Sequence, residues 1–220
     1  NGVDLARYQN RPARVPYRII HSSSPDRGLH HLLRLWPNIK KALPQAELHI
    51  FYELQRWFDL VDHAPNVITA DRAKWVRDGL AKNEGNGVTV HGAVNQWQLA
   101  QEQMKASLMV YCCQPIAPTE GYSISVLECL AAGTPVITTD ADAFPELWTG
   151  HVRMMPLPIE DKEDSWVRAI EYTLTNKEEW TRLSRNGMKH AKTLTWDRIG
   201  KDYEAWLVGE LAKKRGQRGD

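Results

Sequence analysis

Glu120 and Glu128 stand eight residues apart within Pro118-Thr119-Glu120-Gly121-Tyr122-Ser123-Ile124-Ser125-Val126-Leu127-Glu128-Cys129-Leu130-Ala131-Ala132-Gly133-Thr134-Pro135, the strongest chemical constellation in the chain. Ser123 is a good helix N-cap, Gly133 falls where a left-handed residue ends a helix, and Pro135 follows just beyond. Val126, Leu127, Leu130 and Ala131 form an apolar stripe, so Glu120 belongs to the loop before the helix and Glu128 to the helix itself. Backbone amides of Gly121, Tyr122 and Ser123, at the positive end of the helix dipole, can donate to phosphate or sugar oxygens. An ionised carboxylate only accepts, which lets Glu128 take both hydroxyl protons of a vicinal diol such as a ribose. Each such charge-assisted bond contributes roughly 1.5–3 kcal/mol. Taken alone, the pair reads equally well as a dipole-stabilising Glu and a solvated Glu on an amphipathic helix.

Ser22-Ser23-Ser24-Pro25-Asp26-Arg27-Gly28 is the second candidate. Small hydroxyl residues with an Arg and a Gly ahead of a helix suit an anion; the plainer alternative is a capped turn with a solvated Arg. Asp140-Ala141-Asp142 has the form of a metal-binding pair, but two carboxylates alone are a weak metal signal, and loop capping with no bound metal is the expectation. The eight histidines are dispersed, and His30-His31 opens a helix without completing a ligand set. No Gly-x-Gly-x-x-Gly follows a strand, and neither a Walker loop nor a Gly-x-Ser-x-Gly elbow occurs. Dehydrogenase, P-loop and hydrolase readings therefore lack their chemistry.

These loops need a scaffold, and the chain alternates short apolar runs with amphipathic stretches. Strands are predicted at 17–21, 48–52, 88–91, 108–111 and 135–138, with a candidate sixth at 152–155. Helices are predicted from Gly28 to about Pro44, around Trp57, Phe58 and Val61, over 71–82 and 98–105, and from Ser123 to Ala132. From about 162 to 214 the pattern is helical, broken near Asn176 and at Thr195. Trp36, Trp57, Trp75, Trp166, Trp180 and Trp206 fit helix faces that pack. This alternation predicts an α/β fold, a parallel sheet with helices on both faces. Ligands in such sheets sit at the carboxyl ends of strands where the strand order reverses, which directs attention to the loops leaving strands one, four and five.

Composition narrows the class. Hydrophobic residues at 42% and charged residues at 25% exclude disordered and fibrous chains. A 220-residue chain buries roughly 70% of its unfolded surface as a single domain. With 28 basic and 27 acidic residues the net charge is +1, which gives no reason to expect a nucleic-acid or membrane surface as the main partner. No run of 18 apolar residues spans a bilayer. Cys112, Cys113 and Cys129 cannot all pair and read as reduced core residues of a cytoplasmic protein. The opening Asn1-Gly2-Val3-Asp4, without an initiator Met, reads as a connecting segment, so the expectation is a fragment that begins at a linker.

The segment from Glu120 through Glu128 resembles the Glu, seven residues, Glu signature of GT-B retaining glycosyltransferases, in the large family 4 (group 1) class. There the signature is followed by Ala/Leu-Ala-x-Gly-x-Pro-Val-Ile, matched by Leu130-Ala131-Ala132-Gly133-Thr134-Pro135-Val136-Ile137. In order along the chain, Asn1-Gly2-Val3-Asp4, His91-Gly92-Ala93-Val94 with Leu99-Ala100, the Pro145-Glu146 loop end and Trp196 also resemble family motifs. The likeness covers nearly the whole chain. It implies a Rossmann-like donor-binding domain over residues 1–220, one half of a GT-B architecture, with residues 1–15 linker-like, 195–215 a terminal helix and the amino-terminal acceptor domain absent. By resemblance, Glu128 holds the ribose and Glu120 contacts the transferred sugar. Gly121, Tyr122 and Ser123 approach the diphosphate, with Ser22, Ser23 and Gly28 beside them, and Val94 lies near the base. The family usually carries two cations in the first loop; Arg27-Gly28 fits the second, whereas Ser22 or His21 stands at the first, so one cation is missing.

The resemblance further implies transfer from a nucleotide-diphosphate sugar, a co-substrate and not a cofactor, with retention and without a metal. The acceptor, a glycan, lipid or protein, would be recognised by the absent domain, as would any peripheral membrane contact. The isolated piece is expected to be inactive. Two rivals stand beside this reading: half of a nucleotide-sugar 2-epimerase, and a catalytically silent nucleotide-binding module.

Overall fold

Leu108-Met109-Val110-Tyr111 and Val136-Ile137-Thr138-Thr139 are buried at every position, the pattern of strands covered on both faces. They form β4 and β5 of a six-stranded sheet with β1 (Arg18–His21), β2 (Glu47–Ile50), β3 (Val88–Val90) and β6 (Arg153–Met155). The order is β3-β2-β1-β4-β5-β6, and every pairing is parallel. The arrangement is α/β and Rossmann-like, with the strand order reversing between β1 and β4. The computed structural model describes residues 1–114 and 121–216, the side chains of residues 67, 215 and 216 excepted.

Nine α-helices occur among the described residues: α1 (Leu29–Ala42), α2 (Leu54–His63), α3 (Val67–Lys82), α4 (Gln96–Lys105), α5 (Ile124–Ala131), α6 (Phe144–Trp148), α7 (Glu163–Thr175), α8 (Lys177–Ala191) and α9 (Trp196–Gly216). Successive strand residues point to opposite faces and so feed two cores. Ile19, Leu108, Val110 and Ile137 pack with α1, α2, α3 and α7. Ile20, Met109, Tyr111 and Val136 pack with α4, α5 and α6. The cysteines are buried and unbridged, as free thiols in an apolar core behave.

The segment before β1 packs against the second core. Val3 forms an isolated bridge with Thr195 at the head of α9. A 3-10 turn over Leu5–Tyr8, capped by the Asp4 carboxylate, then seats Tyr8 in the interior. Arg11 donates to the carbonyls of Ala131 and Ala132 at 3.0 and 2.7 Å, and Arg14 donates to those of Ala132 and Gly133 at 3.0 and 2.8 Å. The two guanidiniums thus satisfy the orphan carbonyls that end α5.

Several boundaries differ from those predicted. α3 begins earlier because the Asn66 side chain accepts from the Thr69 amide and caps it. Residues 144–148 form a short helix where a loop was expected, with Phe144 and Trp148 fully buried as its anchors. Trp36, Trp57 and Trp166 pack as expected, but Trp75 and Trp206 are about half exposed. Trp75 faces an open cleft, and Trp206 lies on α9, whose Tyr203, Val208 and Leu211 are also exposed. Asp140 accepts from the Leu157 amide at 3.2 Å, the capping role expected for that loop, and Asp142 takes φ 48°.

Gly28 has φ +97°, and a Cβ there would lie 1.8 Å from the Cys112 carbonyl oxygen. The loop leaving β1 therefore rests directly on the loop leaving β4. Gly28→Ala should destabilise the chain by about 2–4 kcal/mol, since strained φ and backbone overlap act together. Urea unfolding checks this, and a change within about 0.5 kcal/mol would contradict the contact.

Candidate functional site

At the reversal point, the loops leaving β1 and β4 meet the first turn of α5. Ser123 caps that helix, its Oγ accepting from the Val126 amide at 3.4 Å, so the remaining first-turn N–H groups face outward. They open onto a cavity of about 600 Å³ lined by Ser23, Ser24, Arg27, Gly121, Tyr122, Ser123 and Ser125, with Asn1 at its edge. Ser125 Oγ donates to the Ser22 carbonyl at 2.8 Å and holds the β1 loop against this end, while Ser23 Oγ lies 3.3 Å from the hydroxyl of Tyr111 at the end of β4. Behind it, Arg72 of α3 is buried and donates to the Asp26 and Gln114 carbonyls, binding the two loops together. Arg27 Nε lies 3.9 Å from Asp26 Oδ2. Burial pushes the Tyr122 phenol up from its ordinary value.

A second cleft of about 480 Å³ adjoins on the β2 side, lined by Ser22, Phe51, Tyr52, Glu53, Arg56, Trp57, Ala93, Val94 and Leu99. Its apolar walls and few polar groups are what a flat heterocycle requires. His91 stacks on Phe51 at 4.4 Å between ring centroids and lies 2.8 Å from His49, so this wall is rigidly built.

Glu128 sits one turn into α5 with its side chain only 12% exposed. Arg7 Nη1 lies 3.4 Å from Oε1, and Gln103 Nε2 donates to Oε2 at 3.3 Å. Burial raises the carboxyl pKa, and the Gln103 bond and the Arg7 charge only partly oppose that. Gln103 Nε2 also lies 3.4 Å from Ser22 Oγ, which joins Glu128 to the β1 loop. Both contacts to the carboxylate are long, leaving acceptor capacity for a hydroxyl-bearing ligand.

The structure therefore brings Ser23, Arg27, Gly121, Tyr122 and Ser123 around one cavity. It sets Ser22 and Val94 on the adjoining cleft and links Glu128 to Ser22 through Gln103. Gly28 lies beneath, against Cys112. Glu120 lies outside the described residues. Arg7, Tyr8, Gln103 and Arg72 were not singled out from sequence. Arg7 and Glu128 are 121 positions apart, and no local pattern marks such a pair. Among the described residues, no group of three or more His, Cys, Asp or Glu side chains could hold a metal ion, and no helix is long and apolar enough to cross a membrane.

The family model for glycosyl transferases group 1 matches residues 18–190. An MMP alpha-(1->4)-mannosyltransferase from Mycolicibacterium hassiacum is 26% identical over 202 residues, covering 90% of this chain and 44% of that protein. Anabaena HepE, solved in complex with UDP and glucose, superposes with a TM-score of 0.74 at 15% identity, over 95% of this chain and 56% of HepE. The C-terminal domain of LpcC, a glycosyl transferase group 1 family protein from Francisella tularensis, superposes with a TM-score of 0.64 at 15% identity, over 87% of this chain and 97% of that domain. The chain thus spans about half the length of the mannosyltransferase and of HepE.

The raised Glu128 pKa makes its ionised form a cost to folding. A carboxyl whose folded pKa exceeds its unfolded value stabilises fully only below the unfolded pKa, and that contribution is lost as pH rises through the folded one. Glu128→Gln, a neutral isostere, should therefore melt above the parent chain at pH 7.5, with the gap closing as pH falls toward 4. Thermal unfolding across that range checks it; a parent chain more stable than the variant at neutral pH would contradict a net burial cost.

Proposed function

Because the chain belongs to the glycosyl transferases group 1 family, we propose that it is the donor-binding half of a glycosyltransferase that uses a nucleoside-diphosphate sugar. One observation carries the reading: Arg27 of the β1 loop and the open end of α5 line one cavity, and Gln103 ties the Glu128 carboxylate to Ser22 of that loop. A carboxylate, a guanidinium and a helix N-terminus in that order complement a ribose followed by a diphosphate. HepE, of the same fold, was solved with UDP-glucose as well, which supports that class of donor.

In this scheme the base occupies the cleft by Val94, Glu128 accepts the ribose hydroxyls, and the diphosphate spans Ser23, Arg27 and the first turn of α5. As the anomeric bond breaks, charge grows on the departing phosphate. Arg27, a permanent cation able to bind two oxygens, and the helix-end amides line the cavity where that charge would grow. These groups carry the neutralisation, so the scheme needs no metal and no cofactor. Glu120 would contact the transferred sugar, a role that rests on the family resemblance. Transfer would proceed with retention, the departing phosphate assisting the acceptor, and without a covalent nucleophile on this chain. Acceptor recognition would belong to the rest of a longer protein. The exposed Tyr203, Trp206 and Leu211 of α9 offer it an apolar surface.

A second reading, a nucleotide-binding module with little transfer activity, is favoured by Ser22. It or His21 stands where the family usually carries a cation; both are buried, and the Ser22 hydroxyl is engaged by Gln103. Calorimetric titration with UDP, GDP and ADP tests the shared premise. Glu128→Ala and Arg27→Ala should each weaken the preferred nucleotide by roughly tenfold or more, the value of a charge-assisted bond. The chain alone should transfer little or no sugar. Binding indifferent to both substitutions would overturn the site. Turnover by this chain alone at the rate of a complete enzyme would overturn the assignment of acceptor recognition elsewhere.

A further inference from the structure

Gln103 is polar yet fully buried on α4, and each end of its amide is engaged. Its Nε2 donates to Glu128 Oε2 at 3.3 Å and lies 3.4 Å from Ser22 Oγ. Its Oε1 accepts from the Tyr8 hydroxyl at 3.0 Å. A carboxylate cannot donate, so the nitrogen must face Glu128. The Tyr8 O–H then donates to the opposite end, and a flipped amide would turn its oxygen against the Glu128 carboxylate and lose that bond. Ser22 Oγ, acting as acceptor toward Gln103, keeps its own proton for another partner, and Ser22 lines the cleft of about 480 Å³. One buried amide therefore places an acceptor and a donor within hydrogen-bond reach of the same nitrogen.

We propose that Gln103 is a positioning residue that sets Glu128 and Ser22 as an acceptor–donor pair for the ribose hydroxyls, that Tyr8 fixes its amide, and that the pair selects ribonucleotides over 2′-deoxyribonucleotides. This rests on the donor-binding reading above. A ribose hydroxyl both donates and accepts, so it can satisfy Glu128 and Ser22 at once, whereas a 2′-deoxyribose leaves part of the pair unmatched. Sites built to bond a hydroxyl reject the analogue lacking it because their own buried polar groups lose a partner. Tyr8 belongs to the 3-10 turn that also carries Arg7, so the segment ahead of β1 touches Glu128 directly through one side chain and through Gln103 by the other.

Calorimetric titration of the full 220-residue chain with UDP, GDP and ADP and their 2′-deoxy counterparts separates the possibilities. The parent chain should prefer the ribose form of its best nucleotide by roughly tenfold or more, the worth of a bond to a charged acceptor. Gln103→Met, close in volume, should bring that ratio near one. Tyr8→Phe, which keeps the ring in the core, should lower it in part and guards against a Gln103 variant that does not fold. General loosening of the fold weakens both nucleotide forms alike and leaves the ratio unmoved. A parent ratio near one, or a ratio unchanged in folded Tyr8→Phe and Gln103→Met, would overturn this inference while leaving nucleotide binding intact. Failure of the parent chain to bind any of the three ribonucleotides would overturn the donor-binding reading beneath it.

Discussion

Taking a carboxylate out of water within a largely apolar helix is the constraint on which this molecule turns. Val126, Leu127, Cys129, Leu130 and Ala131 of α5 are buried, and Glu128 among them is nearly so. Desolvation of an ion there is costly unless charge and hydrogen bonds are brought to it. Arg7 and Gln103 bring them, the first from the segment before β1 and the second from α4. Three elements remote in sequence are therefore held against one another around a single side chain. The pKa of Glu128 stays raised even so, because desolvation outweighs what the two partners return.

The same helix is treated oppositely at its two ends. Its carbonyl terminus is closed by Arg11 and Arg14, whose guanidiniums cover the last carbonyls. Arg14 is itself packed over the Trp180 ring at 4.8 Å, and Trp180 Nε1 donates to the Ser107 carbonyl at 2.7 Å. Burial lowers the Arg14 pKa to about 10, so it remains a cation at neutral pH. The amide terminus is left facing a cavity beside Arg27. Cations at one end and an open anion-seeking terminus at the other leave the helix dipole unopposed where the proposed diphosphate would sit. Arg72 behind the β1 and β4 loops and Gly28 against Cys112 keep that terminus and the cation in register.

Much of this was legible in sequence where the governing physics is local. Ser123 as a cap and Gly133 as a left-handed terminator, seen at φ +67°, bound α5 and place Glu128 inside it. Short apolar strands such as β4, separated by amphipathic helices, announce a parallel sheet covered on both faces. The partners of Glu128 were not legible, because Arg7, Tyr8 and Gln103 reach the site only after the chain has folded back on itself. Arg7 looks like any surface arginine five residues past Asn1-Gly2, and Gln103 like a polar residue on an amphipathic helix. Trp75 and Trp206 misled for the converse reason: helical spacing identifies a face but not whether anything covers it. The short α6 escaped notice because five residues carry too little periodicity to stand out, and its buried Phe144 and Trp148 are fixed by tertiary packing.

Ribose at Glu128 and diphosphate at the α5 terminus form one claim about one ligand, and its direct measurement is a crystal structure of this chain with a nucleoside diphosphate bound. The account predicts the base beside Val94, the ribose hydroxyls on Glu128 and Ser22, and phosphate oxygens between Arg27 and the first-turn amides of α5. A nucleotide lodged elsewhere, such as the cleft between α1 and α3 that Trp75 faces, or one whose ribose turns away from Glu128, would contradict it.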